Sequence, residues 1–272
     1  MALMMRDLFS VYDHAYEHWR DPRADDWPLM GSGLYLVGLL ATYFYCVLDL
    51  GPKLMEKRKP FNLDKVLLAY NAIQVVYCST LLYFATRYIA PYYNFRCEPC
   101  DYSDSFRGVL SAKLTWWYFL SKVIDLLDTV FFVMRKKNNQ ITFLHVYHHG
   151  GMVLLTWIGA RFIPGGSSLT LGYLNCIVHV VMYSYYFLSV WDKDYGRNVW
   201  LKKQVTRLQM IQFGLITVAY VILLLTEDCG FPKIVTTFLI PQNLFMFYLF
   251  ADFYYNTYVK PGNSVKKEKK ED

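Results

Sequence analysis

The sequence predicts an all-α integral membrane protein with seven transmembrane helices. Of its 272 residues, 55% are hydrophobic and 18% aromatic, which is more apolar content than a soluble domain needs to fill one core. Runs such as 34–50, 66–84 and 211–225 are nearly uncharged, and a spanning helix needs roughly 20 mostly apolar residues. Lysine and arginine also concentrate in alternate loops. Together these observations indicate that the solvent of this chain is lipid.

Windows of high hydropathy define the membrane domain, which we expect to cover residues 29–258. A polar segment, 1–28, precedes it, and a basic tail, 259–272, follows it. The first segment lacks the basic-then-apolar pattern of a cleaved signal peptide. The predicted helices are 29–50, 66–89, 115–134, 141–160, 168–190, 206–226 and 234–257.

The charges of the loops predict the orientation. Basic residues fill the first, third and fifth loops and the tail, whereas acidic residues mark segment 1–28 and the second and sixth loops. Because cytosolic loops carry the excess of lysine and arginine, we expect a lumenal amino terminus and a cytosolic carboxyl terminus. The net charge of +6 is explained by this face, so nucleic-acid binding is not needed to account for it.

The last residues predict the compartment. Lys269 and Lys270 lie fourth and third from the end of the printed sequence, as in dilysine signals that return proteins to the endoplasmic reticulum. A tail that only confers solubility is the alternative. A cytosolic tail favours retrieval, and we expect a multi-pass protein of the endoplasmic reticulum membrane.

The six cysteines fall into two groups. Cys46, Cys78 and Cys176 lie within predicted spans and are expected to be buried thiols. The other three lie in predicted lumenal loops, where disulfides are permitted. Cys97 with Cys229 is the favoured pair, because Cys97 and Cys100 are too close in sequence to join distant loops; free thiols remain the alternative.

Polar residues interrupt four of the predicted spans. Ionisable side chains in a membrane are costly and usually face the interior of the bundle, and the spacings of three and four place each set on one helix face. The interpretations that need no function are a structural ion pair for Lys122 with Asp125, tyrosine packing, and glutamines that only join helices. The residues are Lys122, Asp125 and Asp128, then His145, His148 and His149, then Asn175, His179, Tyr183, Tyr185 and Tyr186, and finally Gln209 and Gln212.

Three histidines within five residues of one span indicate a polar active site inside the bundle. Imidazoles serve as metal ligands or as acid, base or nucleophile. Membrane desaturases with a diiron site use more histidines than His145, His148, His149 and His179. These four could still hold one zinc ion with Asp128 nearby. A seven-span receptor matches the topology but gives no reason for buried histidines.

Four motifs, in order along the chain, are similar to those of the ELO family of very-long-chain fatty acid elongases. Residues 122–129, KVIDLLDT, resemble the family's KxxExxDT, with Asp125 in place of the glutamate. Residues 145–149 match HxxHH, residues 179–186 match HxxMYxYY, and residues 206–212 match TxxQxxQ. The resemblance runs through nearly the whole chain.

The resemblance implies a very-long-chain 3-oxoacyl-CoA synthase, an acyltransferase without a cofactor or metal. It would condense a long-chain acyl-CoA with malonyl-CoA, releasing carbon dioxide and CoA. His148 is the expected nucleophile, forming an acyl-imidazole; His179, Asn175 and Tyr185 would stabilise the enolate. The expected substrate-binding residues of the fifth and sixth spans are Asn175, Tyr183, Tyr185, Tyr186, Gln209 and Gln212. His145 and His149 would orient or protonate, Lys122 would set the local potential, and Asp128 would hold a histidine in its productive tautomer.

The expected partners follow from the same resemblance. CoA phosphates would lie at the basic face, although the positive-inside rule alone would place basic residues there. The acyl tail would extend toward the lumen in an apolar tunnel. A ketoreductase, a dehydratase and an enoyl reductase would complete the cycle in the lipid of the membrane, and association with itself or other elongases is left open. The expected phosphate contacts are Lys202, Lys203, Arg207, Arg135, Lys136 and Lys137.

Overall fold

A computed structural model describes residues 18–260, and every regular element within that range is a helix. Seven helices are long, and we number them in chain order. Short helical segments lie at Pro22–Ala24, Asn138–Gln140 and Lys193–Arg197. The long helices are α1 Gly33–Met55, α2 Asp64–Tyr92, α3 Phe106–Met134, α4 Phe143–Phe162, α5 Ser168–Trp191, α6 Val199–Leu225 and α7 Lys233–Val259.

Five of these helices are long and apolar enough to cross a membrane: α1, α2, α5, α6 and α7. Helices α3 and α4 have 29 and 20 residues, so their length suffices at 1.5 Å per residue. Both carry the polar residues singled out above, which lower their hydropathy. The count of seven spans, the membrane orientation and the domain limits therefore stay predictions.

Two helices begin several residues before the predicted spans. Helix α3 begins at Phe106, ahead of 115, and α6 begins at Val199, ahead of 206. Hydropathy marks only the apolar middle of a helix, whereas the true start is set by a polar cap. The side chain of Ser105 accepts a hydrogen bond from the Gly108 N–H, and that of Asn198 accepts one from the Leu201 N–H.

Six helices form a closed ring. Going round it, α2 packs against α3, α3 against α4, α4 against α7, α7 against α6, α6 against α5, and α5 against α2. Helix α1 lies outside the ring against α3 and α4. A Cβ atom on Gly150 of α4 would lie 2.5 Å from the Phe44 ring of α1, so this close approach requires glycine.

One end of the ring, which we call the disulfide end, is covalently tied. Cys97 and Cys229 form a disulfide between the α2–α3 and α6–α7 loops, the pairing that the sequence favoured. Cys100 is free and packs in the same apolar cluster. Burial raises the pKa of its thiol to about 11, so it stays protonated at neutral pH.

The opposite end, which we call the basic end, gathers the cationic loops. Phe61 donates its backbone N–H to the Met134 carbonyl at 3.0 Å, which brings the α1–α2 loop to the end of α3. Arg207 near the start of α6 contacts Tyr254 near the end of α7. The predicted segregation of basic loops to one end is thus present in the fold, while Lys269 and Lys270 lie outside the described residues.

Candidate active site

Lys122 of α3 is the centre of a buried polar cluster. Its side chain is 3% exposed and its ammonium group faces three acceptors, one for each proton. The distances from Nζ are 2.8 Å to Asp125 Oδ2, 2.9 Å to Asn175 Oδ1 and 3.4 Å to His179 Nδ1. Because a lysine ammonium only donates, Nδ1 of His179 must accept. The proton of neutral His179 is therefore on Nε2.

Asp125 balances the lysine charge. Besides the ion pair with Lys122, its Oδ1 accepts hydrogen bonds from the Gln74 amide of α2 and the Tyr183 hydroxyl of α5, the latter at 2.9 Å. The carboxylate is thus held from three helices. An aspartate at this position makes these contacts although the family motif has glutamate.

Asp128, one turn further along α3, lies 2.8 Å from the Tyr183 hydroxyl. We expected this carboxyl group to hold a histidine in one tautomer. The hydrogen bond that the structure gives Asp128 goes to Tyr183, while His179 contacts Lys122 and His145 contacts Thr129, so the role of Asp128 toward a histidine stays a prediction. Asp128 therefore joins the cluster through the Tyr183 hydroxyl.

The histidines of α4 have different surroundings. Thr142 caps the helix start and accepts from the His145 N–H at 3.3 Å. The Nε2 atom of His145 lies 2.9 Å from Thr129 Oγ1, which in turn lies 2.8 Å from the Tyr43 hydroxyl. The His145 and His149 rings lie side by side, with centroids 4.1 Å apart. These contacts give His145 a supporting position.

His148 packs against the His149 imidazole, at a centroid distance of 5.7 Å, and against two phenylalanine rings. The rings of Phe213 and Phe250 stand edge-on to it at centroid distances of 6.3 and 6.2 Å. Within residues 18–260 no hydrogen bond to its imidazole is found, yet Lys122 and His179 lie within electrostatic range. An imidazole nitrogen without a hydrogen-bonding partner keeps its lone pair available for attack on a substrate.

The predicted substrate-binding residues of α5 and α6 divide into two groups. Asn175 accepts from Lys122 and from the Tyr118 hydroxyl, and its amide donates to Gln212 at 3.4 Å. The Gln209 amide lies 3.5 Å from the Met182 sulfur. These amides join helices, which is the interpretation without a substrate role. Tyr183 is fully buried in the cluster, whereas Tyr185 is half-buried and Tyr186 is 39% exposed, so the cluster takes in Tyr183 but not its neighbours.

Sequence reasoning missed several members of the cluster. Gln74 is 1% exposed and contacts Asp125, while Tyr70 packs edge-on against Tyr183. The available signal was a pair of polar residues, Asn71 and Gln74, one turn apart within the apolar α2. The other missed residues are Tyr43, Tyr118 and Thr129.

The basic residues lie at the basic end, away from the cluster. The Nε–H of Arg207 donates to the Tyr254 hydroxyl at 2.9 Å, and Lys203 lies over the Tyr258 ring. Arg135 is 3.9 Å from Asp64, and Lys136 donates to the Glu56 carbonyl. Lys202 lies one turn before Thr206, and Lys137 is exposed.

A largely apolar cavity of about 350 Å³ lies between α2, α3, α5 and α6. Its wall includes Tyr118, whose hydroxyl contacts Asn175, and it extends to Tyr93 and Leu169 near the disulfide end. Gly172 lines it beside the Tyr118 ring. The cavity thus connects the neighbourhood of the polar cluster with the disulfide end.

Within residues 18–260 no three side chains of histidine, cysteine, aspartate or glutamate have an arrangement that could hold a metal ion. The four histidines lie on two helices, three on α4 and His179 on α5, with Lys122 next to His179. A cation at this position is an unfavourable neighbour for a metal ion, and a reaction without a metal stays the prediction.

Comparison with known proteins assigns the chain to a family. The family described as ELO: GNS1/SUR4 matches residues 28–266. The chain belongs to this family. It is 42% identical to a very long chain fatty acid elongase of Aedes aegypti, over 95% of this chain and 72% of the relative. It is 42% identical to very long chain fatty acid elongase 7 of Drosophila melanogaster, over 92% of this chain and 79% of the relative. It is also 42% identical to very long chain fatty acid elongase 7 of Rattus norvegicus, over 93% of this chain and 92% of the relative.

Membership in the ELO family bears on two earlier expectations. The resemblance carried by the four motifs is confirmed, and the apolar helices belong to a multi-pass membrane protein. The motif residues that this ELO chain brings into one cluster are Lys122, Asp125, Asp128, His179 and Tyr183.

Proposed function

We propose that this chain is an acyltransferase that catalyses the condensing step of fatty acid elongation. It would join a long-chain acyl-CoA to the two-carbon unit of malonyl-CoA and release carbon dioxide and CoA. The observation that carries the proposal is the position of His148, an imidazole surrounded by phenylalanine rings and within electrostatic range of the Lys122–His179 pair. A nucleophile and a charged donor group thus occur together in an apolar interior.

In the first half-reaction, a nitrogen of His148 attacks the thioester carbon and the carbon–sulfur bond breaks. CoA leaves as a thiolate, which takes the proton from Nε2 of His179, and the acyl group stays on His148 as an acyl-imidazolium. Lys122 supports this step because its ammonium fixes the tautomer in which Nε2 donates, and it gives a proton to Nδ1 as Nε2 loses its own, so that His179 stays neutral.

In the second half-reaction, malonyl-CoA loses carbon dioxide and its remaining electron pair forms an enolate. The enolate carbon attacks the acyl carbonyl, the carbon–nitrogen bond breaks, and neutral His148 is restored. Donors aimed at the developing oxyanion lower this barrier. Nε2–H of reprotonated His179 supplies such a donor, and no metal or cofactor is required by this sequence of steps.

The fold offers separate places for the two parts of the substrate. The polyanionic CoA suits the basic end, where Arg207 and Lys203 rest on tyrosine rings. The alkyl tail suits the apolar cavity beside Tyr118. We place the basic end in the cytosol and the protein in the endoplasmic reticulum, where a ketoreductase, a dehydratase and an enoyl reductase would process the product.

The test uses purified protein, labelled malonyl-CoA and a panel of acyl-CoAs, with and without a chelator. We expect chelator-resistant formation of 3-ketoacyl-CoA that His148→Ala abolishes. His18→Ala, at an exposed histidine near the disulfide end, is the matched control and retains activity. Activity lost on chelation would favour the zinc alternative, and activity retained in His148→Ala would remove the acyl-histidine step.

A second measurement isolates the covalent intermediate. Incubation with labelled acyl-CoA alone should leave the acyl group on the wild-type protein, from which hydroxylamine releases it. His148→Ala should carry no label. Label at another residue would reassign the nucleophile.

A further inference from the structure

The hydroxyl of Tyr183 lies between two carboxyl groups. Its oxygen is 2.9 Å from Asp125 Oδ1 and 2.8 Å from Asp128 Oδ2, and its side chain is fully buried. A phenol has one proton and can donate to only one of these oxygens. The other contact is a hydrogen bond only if that carboxyl group brings its own proton.

Asp125 is the ionised member of the pair. Its carboxylate takes a proton donor from each of Lys122, Gln74 and Tyr183, and a buried charge needs such partners. It is therefore the acceptor for the Tyr183 proton.

Asp128 has no cation of its own in the part of the chain that the structure describes. The titratable groups facing it are Asp125 and Lys122 on its own helix and tyrosines of three others, and Lys122 already serves three acceptors. Burying a second carboxylate beside Asp125 would be costly. The tyrosines are Tyr43 of α1, Tyr70 of α2, and Tyr183 and Tyr186 of α5.

We propose that Asp128 is a carboxylic acid in the resting protein and begins a proton path through Tyr183, Asp125 and Lys122 to His179. Consecutive members are 2.8, 2.9, 2.8 and 3.4 Å apart. Asp128 and Tyr183 are then positioning residues that act on substrate through His179.

The role of this path rests on the proposed function. Condensation consumes one proton per turnover, because the malonyl carboxylate leaves as carbon dioxide while the CoA thiolate becomes a thiol. After Nε2 of His179 has given up its proton, Lys122 donates to Nδ1, Asp125 passes on the proton received from Tyr183, and Tyr183 takes the proton of Asp128. His179 then is neutral with its proton on Nδ1, and Asp128 is ionised. When Nε2 takes up a proton from the interior of the ring, the Nδ1 proton returns along the same path, and the half-buried Asp128 regains its own.

Infrared spectroscopy of the purified protein without substrate tests the protonation state. We expect at neutral pH a carbonyl-stretch band of a carboxylic acid that moves in D₂O. It should be lost in Asp128→Asn and kept in Asp252→Asn, which makes the same substitution at an exposed aspartate of α7. Absence of the band from folded wild-type protein, or its persistence in Asp128→Asn, would overturn the proposal.

Tyr183→Phe keeps the proposal testable where Asp128→Asn does not fold. Removing the hydroxyl takes away the group that Asp128 donates to, so the band should shift to the position of a more weakly bonded acid. An unchanged band would show that Asp128 does not donate to Tyr183.

The path itself is tested by kinetics. Tyr183→Phe should lower kcat by about 100-fold, the lower end of the range for general acid–base catalysis, with little change in the KM for malonyl-CoA. Tyr83→Phe, at an exposed tyrosine of α2, is the control. An unchanged kcat would contradict the path even if the band is present. Because the spectroscopy needs no turnover, a band in a protein that forms no 3-ketoacyl-CoA would contradict the proposed function and not the protonation of Asp128.

Discussion

The two ends of the helix ring are built differently. The disulfide end joins Cys97 to Cys229 and adds buried contacts, such as the Trp157 indole donating to the Leu29 carbonyl at 2.9 Å. Arg161 there is fully buried and lies 2.7 Å from Asp25. At the basic end, Lys203 and Arg207 lie over tyrosine rings, and Arg135 and Lys136, which are only half-buried, contact Asp64 and Glu56.

This difference indicates which end stabilises the ring and which end we expect to bind substrate. A covalent tie with buried hydrogen bonds fixes helix ends, whereas exposed ion pairs contribute little stability. The disulfide end therefore holds the geometry of the interior cluster, and under the proposed function the basic end would bind and release CoA. Substitutions at the two ends should affect different measurements, stability at one and substrate affinity at the other.

The largest effect is expected in the cluster that both ends enclose. Lys122→Met removes the charge that balances Asp125, and an uncompensated buried charge costs about 3–5 kcal/mol. Thermal unfolding in detergent should show this loss together with loss of activity. Lys113→Met is the control, because Lys113 is exposed on the same helix. Equal thermal stability of the two variants would show that the Lys122–Asp125 pair does not stabilise the fold.

The next largest effect is expected when the disulfide between Cys97 and Cys229 is removed. The double variant Cys97→Ser/Cys229→Ser avoids new pairing with Cys100, which lies in the same cluster. Loss of a disulfide typically costs about 2–4 kcal/mol, so the melting temperature should fall and approach that of the reduced wild type. Cys46→Ser, at a free cysteine of α1, should leave it unchanged. A melting temperature equal to that of the wild type would mean that buried contacts alone hold this end.

The sequence predicted the charged and histidine members of the cluster better than the α2 residues that contact them. Steps of three and four placed Lys122, Asp125 and His179 on interior faces, and the fold joins them. It did not predict Gln74 or Tyr70, because a helical period gives the face of each helix but not which faces meet. The ring order depends on packing between α2 and α5, which are distant in sequence, so their shared contacts could not be derived from spacing.

A smaller effect is expected in the cavity that extends from the cluster toward the disulfide end. A Cβ atom on Gly172 would meet the Tyr118 ring at 3.4 Å, so Gly172→Ala fits and serves as the control. Gly172→Leu would fill part of the 350 Å³ space. Product analysis with acyl-CoAs of increasing length should show loss of the longest products and retention of shorter ones. Uniform loss at all lengths would indicate damage to packing rather than a filled tail site.

The smallest effect is expected at the basic end, where Arg207 donates to Tyr254 and lies over its ring. Removing one exposed cation should raise the KM for malonyl-CoA about two- to fivefold, the range for a single solvent-exposed charge contact, without changing kcat or the melting temperature. Added salt should reduce the difference from wild type, because ions screen exposed charges. Arg207→Lys keeps the charge and should lie close to wild type, whereas Arg207→Ala should not. If Arg207→Ala instead lowered the melting temperature, the basic end would share the structural role of the disulfide end, and the contrast between the two ends would fail.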